Sequence, residues 1–341
     1  MINNNMMKSN RRAFIKAAAL SGVGLTMGSL QVFGRGNPTH AATGKRVGII
    51  GLDTSHSVAF TKALNAASPD AELRGYKVVA AYPYGSRTIE SSAKRIPGYI
   101  DDVKKYGVAI VDSIDALLAQ VDVVLLETND GRLHLEQALP VIKAGKRLFI
   151  DKPIAASLED AQAIFKVAKA HKVPVFSSSS LRYTENIPAI RSGELIGKVT
   201  GADTFSPAVI EPTHPDLFWY GIHGVEMLYA VMGTGCASVS RTHNEGTDIV
   251  VGTWHDGRIG TFRGTRTGHH GYGGIVHGEK GHVPISKHQG YTSLLYKIVE
   301  FFETGVSPVD SAETLEIFAF MAAADESKKR GGKAVQLTKV G

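Results

Sequence analysis

The chain has 341 residues, 43% hydrophobic and 21% charged, a composition typical of a globular protein with room for two domains. Its single cysteine, Cys236, cannot form an internal disulfide and gives no support for a cysteine-based metal site. Residues 1–41 hold five basic residues and no acidic ones, so removing them from the formal net charge of +6 leaves +1. We find no basic stripe that would indicate nucleic-acid binding.

Residues 1–41 have the features of a twin-arginine export signal. Arg11 and Arg12 precede Phe14, a mild apolar stretch follows, and small residues near Ala41 suit cleavage. The apolar stretch is too short and too rich in glycine to predict a stable membrane span. We therefore expect a periplasmic protein that is exported already folded and has no membrane contact once the signal is removed.

Residues 44–178 are predicted to form a first domain in which apolar strands alternate with helices. Continuous apolar runs predict strands in segments 45–51, 76–82, 121–128, 146–151 and 173–179. Helical spacing of apolar residues predicts helices in segments 57–67, 113–120, 131–145 and 157–172. Ser113 and Ser157 are predicted N-caps of two of these helices. Strand–helix alternation of this kind predicts an α/β fold with a doubly wound parallel sheet.

Residues 179–341 do not continue this strand–helix alternation and are predicted to form a second domain for substrate binding and oligomerisation. Helices are predicted in segments 185–193 and 218–233, and two more at the C-terminus in 291–305 and 311–329. Shorter alternating segments between residues 237 and 286, with turns at Asp256-Gly257 and Lys280-Gly281, predict an open, mostly antiparallel sheet. The last helices are expected to pack back on the first domain.

Four motifs occur in an order that resembles one known family: AGKRLFIDKP at 144–153, GIHGVEMLYAVMG at 221–233, GEKGHVPI at 278–285 and GKAVQL at 332–337. With the strand–turn–helix pattern at 45–64, they are similar to the Gfo/Idh/MocA (glucose–fructose oxidoreductase/inositol dehydrogenase) family. The resemblance implies an N-terminal Rossmann domain and a C-terminal α/β domain. It also implies NAD- or NADP-dependent chemistry on a sugar, glycoside or cyclitol, in some members with a retained cofactor, and homo-oligomers.

Two catalytic residues are carried over from the resemblance. Asp151-Lys152-Pro153 matches the family's Glu-Lys-Pro, so Lys152 is expected beside the nicotinamide and the reacting carbon, where it orients or protonates the substrate. His223 matches the family's acid or base histidine, and Glu226 follows it on the same helical face. Trp219 stands where many members have an aspartate, and its indole could stack on a sugar.

The cofactor loop departs from the family pattern. The Gly-x-Gly-x-x-Gly fingerprint maps onto Gly51, Asp53 and His56, so only the first glycine remains. A carboxylate facing the diphosphate in a dry cleft would cost several kcal/mol, on the order of a thousandfold in affinity. Alternatively, Asp53 turns aside and leaves the helix N-terminus, with Thr54 and Ser55, to the phosphates.

Other expected site residues flank the strand ends. The second strand ends without an acidic residue for the ribose, and Ser86 and Arg87 could accept the 2′-phosphate of NADP, which leaves NAD and NADP both open. Glu127, Thr128 and Asn129 at a strand end are expected along the cofactor cleft, together with Asp151, and His134 is expected either near the nicotinamide ribose or in a structural role. The remaining candidates are substrate contacts: Arg182, Tyr183 and His214, besides Trp219 and Glu226.

Three functional hypotheses remain open on these residues. The first is an NAD(P)-dependent oxidoreductase acting on a carbohydrate. The second is a lyase or hydrolase that has lost the dinucleotide and uses an Asp53/His56 acid–base site, or a metal held by His214, His223 and Glu226. The third is a ligand-binding protein without catalysis. No resident metal is expected under the first hypothesis.

Overall fold

The structure is a computed structural model that describes residues 44–339. The predicted export signal therefore lies outside the described residues. The first sheet has six parallel strands in the order β3-β2-β1-β4-β5-β6, which is the order of a Rossmann fold. They are β1 (Arg46–Ile50), β2 (Lys77–Tyr82), β3 (Ala109–Ile110), β4 (Val123–Leu126), β5 (Leu148–Ile150) and β6 (Val175–Ser177).

Helices cover both faces of this sheet. They are α1 (Ser55–Leu64), α2 (Glu90–Ala93), α3 (Ile96–Lys104), α4 (Ile114–Leu118), α5 (His134–Lys143) and α6 (Leu158–His171). Thr54, Ser113 and Ser157 cap α1, α4 and α6, and each side-chain oxygen accepts a backbone N–H of the first turn. The two N-caps predicted from the sequence, Ser113 and Ser157, are thus confirmed.

The second sheet has seven strands in the order β12-β11-β7-β10-β9-β8-β13. They are β7 (Val199–Pro207), β8 (Cys236–His243), β9 (Thr247–Trp254), β10 (Ile259–Thr265), β11 (Gly273–Gly278), β12 (Gly281–Pro284) and β13 (Val335–Gln336). All neighbours are antiparallel except β7 and β10, so the sheet is mixed and mostly antiparallel. One face is open, and it carries the exposed side chains of Phe205, Ile259 and Ile275.

The remaining helices are α7 (Ile187–Arg191), α8 (Asp216–Trp219), α9 (Ile222–Met232), α10 (Thr292–Thr304) and α11 (Ser311–Lys329). Every residue of α9 is buried, and the helix packs on β7 and β10 of the second sheet and against α11. Helix α10 packs on the first sheet, where the Phe301 ring lies 4.7 Å from that of Phe176. Burial of such aromatic pairs ties the C-terminal segment to the N-terminal sheet.

The structure differs from the sequence prediction in three helical regions, of which the first is the short helix α2, absent from the prediction. Helix α3 was not predicted, because Pro97-Gly98 in its first turn is typical of a turn and only Val103 of its nine residues is fully buried. The predicted helix 218–233 is divided into α8 and α9 at Tyr220-Gly221. None of the helices among residues 44–339 combines the length and the apolar character needed to cross a bilayer.

Candidate functional site

A cleft of about 310 Å³ opens between the two domains at the carboxyl ends of the parallel strands. In open α/β sheets this edge, next to the reversal of strand order between β1 and β4, is where ligands bind. Its first-domain wall consists of polar and charged residues: Thr54, Ser55, His56, Ser91, Arg95, Asn129, Asp151 and Lys152. Its second-domain wall is rich in aromatic and histidine side chains: Ser180, Leu181, Trp219, Tyr220, His223, Tyr272, His288 and Tyr291.

Asp53 does not face this cleft. Its side chain is fully buried, and its two carboxylate oxygens accept the backbone N–H groups of Ser86, at 2.6 Å, and Asn129, at 2.9 Å. A Cβ on Gly85 would lie within 2.6 Å of all three carboxyl atoms, so only glycine permits this approach. Burial raises the pKa of Asp53 to about 6, although the two amide hydrogen bonds oppose that shift.

The mouth of α1 retains the shape of a phosphate-binding turn. Gly51 has φ +89°, and a Cβ there would lie 2.4–2.6 Å from atoms of Thr128, so the turn still depends on glycine. Thr54, rather than Asp53, caps the helix by accepting the N–H of His56. Ser55 is exposed at the mouth, and Arg95 and Asn129 line the same space. These residues fit an anionic diphosphate, because hydrogen-bond donors, a guanidinium and the positive end of a helix dipole face it while the Asp53 carboxylate does not.

Lys152 and Asp151 follow β5 at the floor of the cleft. The Lys152 ammonium lies 5.7 Å from the centre of the Tyr220 ring, on the opposite wall. Asp151 Oδ2 lies 2.9 Å from His56 Nδ1, and Asp151 Oδ1 accepts the backbone N–H of Lys152. Burial alone would raise the pKa of Asp151, but His56 and Lys152 outweigh it and hold that pKa at about 2.

Glu127 lies immediately behind these residues, at the end of β4. Its side chain is fully buried, and neither carboxyl oxygen has a hydrogen-bond partner among the described residues. Burial and the nearby Asp151 raise the pKa of Glu127 well above its ordinary value, and Lys152 opposes the shift. The sequence places Glu127 along the cleft, but it gives no sign that this carboxyl lacks a partner.

His223 is presented to the cleft by the first turn of α9. Its Nδ1 lies 2.8 Å from Ser179 Oγ, while burial, Lys152 and His56 lower its pKa well below the ordinary range. The imidazole is therefore neutral at physiological pH. Glu226 fixes the neighbouring loop, since it accepts the Ser178 hydroxyl at 2.8 Å and the Ser179 N–H at 2.9 Å.

Arg182, Tyr183 and Glu226 do not line the cleft, contrary to the prediction that they contact substrate. Arg182 is buried and pairs with Glu226 at 3.0 Å and with Glu313 at 2.5 Å. Burial raises the pKa of Tyr183 to about 12, and its side chain borders a separate groove. The sequence pattern places these residues near the sheet edge, but their side chains turn inward because two buried carboxylates neutralise the guanidinium.

Of the other predicted substrate residues, only Trp219 lines the cleft. His214 stands behind it, with its ring 4.9 Å from the indole and Nε2 3.5 Å from Asp130. Burial lowers the pKa of His214 to about 4 despite the nearby Asp130 carboxylate. His214 is therefore a neutral support for Trp219 rather than a contact in the cleft.

The expected cofactor residues separate into supporting and exposed groups. Ser86 is buried, and its hydroxyl accepts the Ile89 N–H. The cationic group of that loop is the exposed Arg87, whose guanidinium lies 5.1 Å from the centre of the Tyr84 ring. His134 is fully buried, with Nδ1 3.2 Å from the carbonyl oxygen of Ile154 and Nε2 2.6 Å from that of Thr128. It therefore holds the turn after β4 instead of facing a ligand.

The alternative metal set His214, His223 and Glu226 is not assembled. His214 faces Asp130, His223 faces Ser179, and Glu226 is occupied by Arg182. Among the residues that the structure describes, ligand atoms at metal-binding spacing are found instead in His56, Glu127 and Asp151. Of these, His56 and Asp151 were predicted as cofactor contacts, and His56 also as part of an Asp53/His56 acid–base site.

Several cleft residues were missed by the sequence reasoning. Ser179, which is fully buried just behind the cleft, has its hydroxyl oxygen 2.8 Å from His223 Nδ1, and the SSSS run was its only sequence signal. Arg95, Tyr272 and Tyr291 come from segments with no recognisable motif, and only the fold brings them to the cleft. The aromatic rings on one wall and the polar groups on the other suit a ligand with apolar ring faces and many hydroxyls.

Fold and site together define a two-domain α/β protein with a Rossmann sheet and a cleft between the domains that is lined by ionisable and aromatic side chains. Residues 45–179 match the model of the Gfo/Idh/MocA family, described as an oxidoreductase family with an NAD-binding Rossmann fold. The 1,5-anhydro-D-fructose reductase of Ensifer adhaerens is 33% identical over 91 residues. That match spans 26% of this chain and 27% of the reductase.

Two solved structures share the fold over nearly their whole length. Myo-inositol 2-dehydrogenase from Lactobacillus plantarum superposes with a TM-score of 0.70 at 18% identity, covering 86% of this chain and 99% of that one. GenD2 from gentamicin A biosynthesis, solved in complex with NAD, gives a TM-score of 0.70 at 15% identity, covering 93% and 100%. At this level of identity the likeness establishes the two-domain fold.

Proposed function

We propose that the whole chain is a Gfo/Idh/MocA oxidoreductase that uses NAD or NADP to oxidise or reduce a hydroxyl-bearing carbon of a sugar or cyclitol. The observation that carries the proposal is the meeting of Lys152 and His223 across one cleft, from different domains. Further support comes from the family match of residues 45–179 and from a sugar reductase and an inositol dehydrogenase among the similar proteins.

The cleft residues divide the work of such a reaction. Ser55, Arg95 and Asn129, at the mouth of α1, would hold the diphosphate, and a bound nicotinamide supplies the two-electron redox chemistry. The neutral His223 accepts the proton of the substrate hydroxyl during oxidation, with its ring held by Ser179. Lys152 carries its ammonium into the same space and stabilises negative charge on the reacting oxygen.

The substrate class follows from the second-domain wall. Trp219 and the Tyr220, Tyr272 and Tyr291 rings present flat apolar surfaces, and serine and histidine side chains lie between them. A pyranose or cyclitol has one apolar ring face and a rim of hydroxyls, which matches that alternation. The similar inositol dehydrogenase and sugar reductase support the same class.

The cellular setting and assembly belong to the same proposal. Export to the periplasm through the twin-arginine route rests on residues 1–41 of the sequence, and a cofactor loaded before export would then be retained. A homo-oligomer that covers the open face of the second sheet rests on family analogy.

The decisive experiment combines nucleotide binding with turnover on the full chain. NAD, NADP and their reduced forms are titrated by calorimetry, and a panel of sugars and cyclitols is then screened by the absorbance of reduced nicotinamide. Lys152→Met and His223→Gln should each lower kcat by about 10²–10⁴-fold while nucleotide affinity is kept. Lys280→Met, at an exposed hairpin, is the matched control and should leave both unchanged. Absence of nucleotide binding by the wild type would refute the proposal.

A further inference from the structure

Three buried ionisable side chains converge beneath the cleft. His56 belongs to the first turn of α1, Glu127 follows β4, and Asp151 follows β5. Strands β1, β4 and β5 are adjacent in the sheet, so their carboxyl ends bring the three together. One ligand atom from each lies within 4.8 Å of the other two, and all three side chains are buried.

Of the three residues, Glu127 is the one whose burial is hardest to explain. It is 0% exposed, and both carboxyl oxygens lack a hydrogen-bond partner among the described residues. A buried polar group without a partner is strongly unfavourable, and native structures rarely keep one. Its carboxyl points at His56 and Asp151, so the missing partner would have to lie between these three residues.

The His56–Asp151 contact supports the same point of convergence. Nδ1 and Oδ2 are 2.9 Å apart, a spacing that an ion pair and a shared metal ion both allow. Two ligand atoms bound to one ion at about 2.0–2.2 Å each lie roughly 3 Å apart without sharing a proton. The other Asp151 oxygen accepts the Lys152 N–H, so Oδ2 is the oxygen that lies on the His56 side, towards the common centre.

We propose that His56, Glu127 and Asp151 bind a divalent cation of the Zn²⁺ or Mn²⁺ class at the floor of the cleft. One imidazole and two carboxylates form a borderline ligand set that suits these ions. Two carboxylates balance the charge of the cation. His56 and Asp151 also line the cleft, so the open coordination position faces the substrate space, as in catalytic rather than structural metal sites.

The cation goes beyond the proposed redox function and does not depend on it. Placed under the cleft, it would polarise a substrate hydroxyl or carbonyl next to Lys152 and His223. Lys152 neighbours the same carboxylates, and its ammonium competes with the ion for them. Lys152→Met is therefore expected to tighten cation binding about tenfold or more, because a positive charge is removed from a poorly solvated site.

The test uses the full chain, freed of metal with a chelator and titrated with Zn²⁺ and Mn²⁺ by calorimetry, with elemental analysis after dialysis. We expect one equivalent per chain and a higher Tm when the ion is bound. Glu127→Gln keeps the shape but removes the charge, and it should weaken binding at least tenfold. His277→Gln removes an exposed imidazole that faces Asp203, and this control should keep the full equivalent.

The outcomes separate this inference from the redox proposal. The cation site is overturned if the wild type binds no cation, or if Glu127→Gln binds it as tightly as the wild type does. Glu127 would then be either protonated or paired with Lys152. Nucleotide binding is measured on the same samples without metal. A chain that binds the cation but no nucleotide supports the cation site and refutes the redox function. A chain that binds nucleotide but no cation supports the redox function and refutes the cation site.

Discussion

Replacing Glu226 with alanine tests whether this residue contacts substrate or holds the site together. In the structure its carboxylate accepts the Ser178 hydroxyl, the Ser179 N–H and Arg182 Nε, at 2.8, 2.9 and 3.0 Å. Glu226→Ala leaves the buried Arg182 with Glu313 alone and the Ser179 N–H without an acceptor. Breaking a buried ion pair on one side costs about 3–5 kcal/mol, so the free energy of unfolding should fall by about that amount.

Urea denaturation followed by the fluorescence of Trp219 and Trp254 measures this change. Glu300→Ala is the matched control, because it removes an acidic residue from an exposed helical pair with Lys297 and should cost less than about 0.5 kcal/mol. Arg182→Ala leaves both Glu226 and Glu313 without their cation and should cost at least as much as Glu226→Ala. A stability loss below about 1 kcal/mol for Glu226→Ala, with KM raised for a carbohydrate substrate, would refute the supporting role and restore the substrate contact.

Two further predictions concern charge. Asp53→Gly restores the second glycine of the fingerprint, but it should change NAD and NADP affinity less than threefold, because the carboxylate does not face the cleft. It should also lower stability by about 1–3 kcal/mol, because the buried Ser86 N–H and the part-buried Asn129 N–H lose their acceptor. Fluorescence titration of the reduced cofactors decides this, and a hundredfold gain in affinity would show that Asp53 repels the diphosphate. In the unfolded chain His223 takes up a proton near pH 6.5, whereas in the folded protein its lowered pKa prevents this. The free energy of unfolding should therefore fall as the pH drops below about 6.5. Denaturation at several pH values should show a shallower decline for His223→Gln, and parallel curves would contradict the lowered pKa.

Most of the fold could be predicted because its strands and helices are encoded locally. Strand β4 is a run of four fully buried apolar residues, and such a run predicts a parallel strand covered on both faces. The parallel pairing of β7 with β10 could not be predicted, because those strands are far apart in sequence and their alternating pattern suits either direction. Helix α3 escaped prediction because its burial is slight.

The sequence indicated which residues lie near the candidate site but not which way their side chains point. Motif matching placed Lys152 and His223, and both line the cleft. The orientation of Asp53 depends on backbone amides 33 and 76 positions away, in loops that meet only after the sheet has formed. Arg182 and Glu226 were wrongly assigned as substrate contacts for the same reason. The sequence alone does not distinguish a buried ion pair from two residues that contact a substrate.

Asp53 changes how the cleft wall is organised rather than simply removing a glycine. A fingerprint glycine works by leaving space, whereas this carboxylate binds the loop after β2 to the loop after β4 and is itself packed against Gly85. Asn129, one of the residues held in this way, lines the cleft. The wall is therefore ordered before any ligand arrives, and less conformational entropy is lost on binding. The same carboxylate would exclude a diphosphate if it faced the cleft, so its inward orientation is the condition on which a nucleotide-dependent function rests.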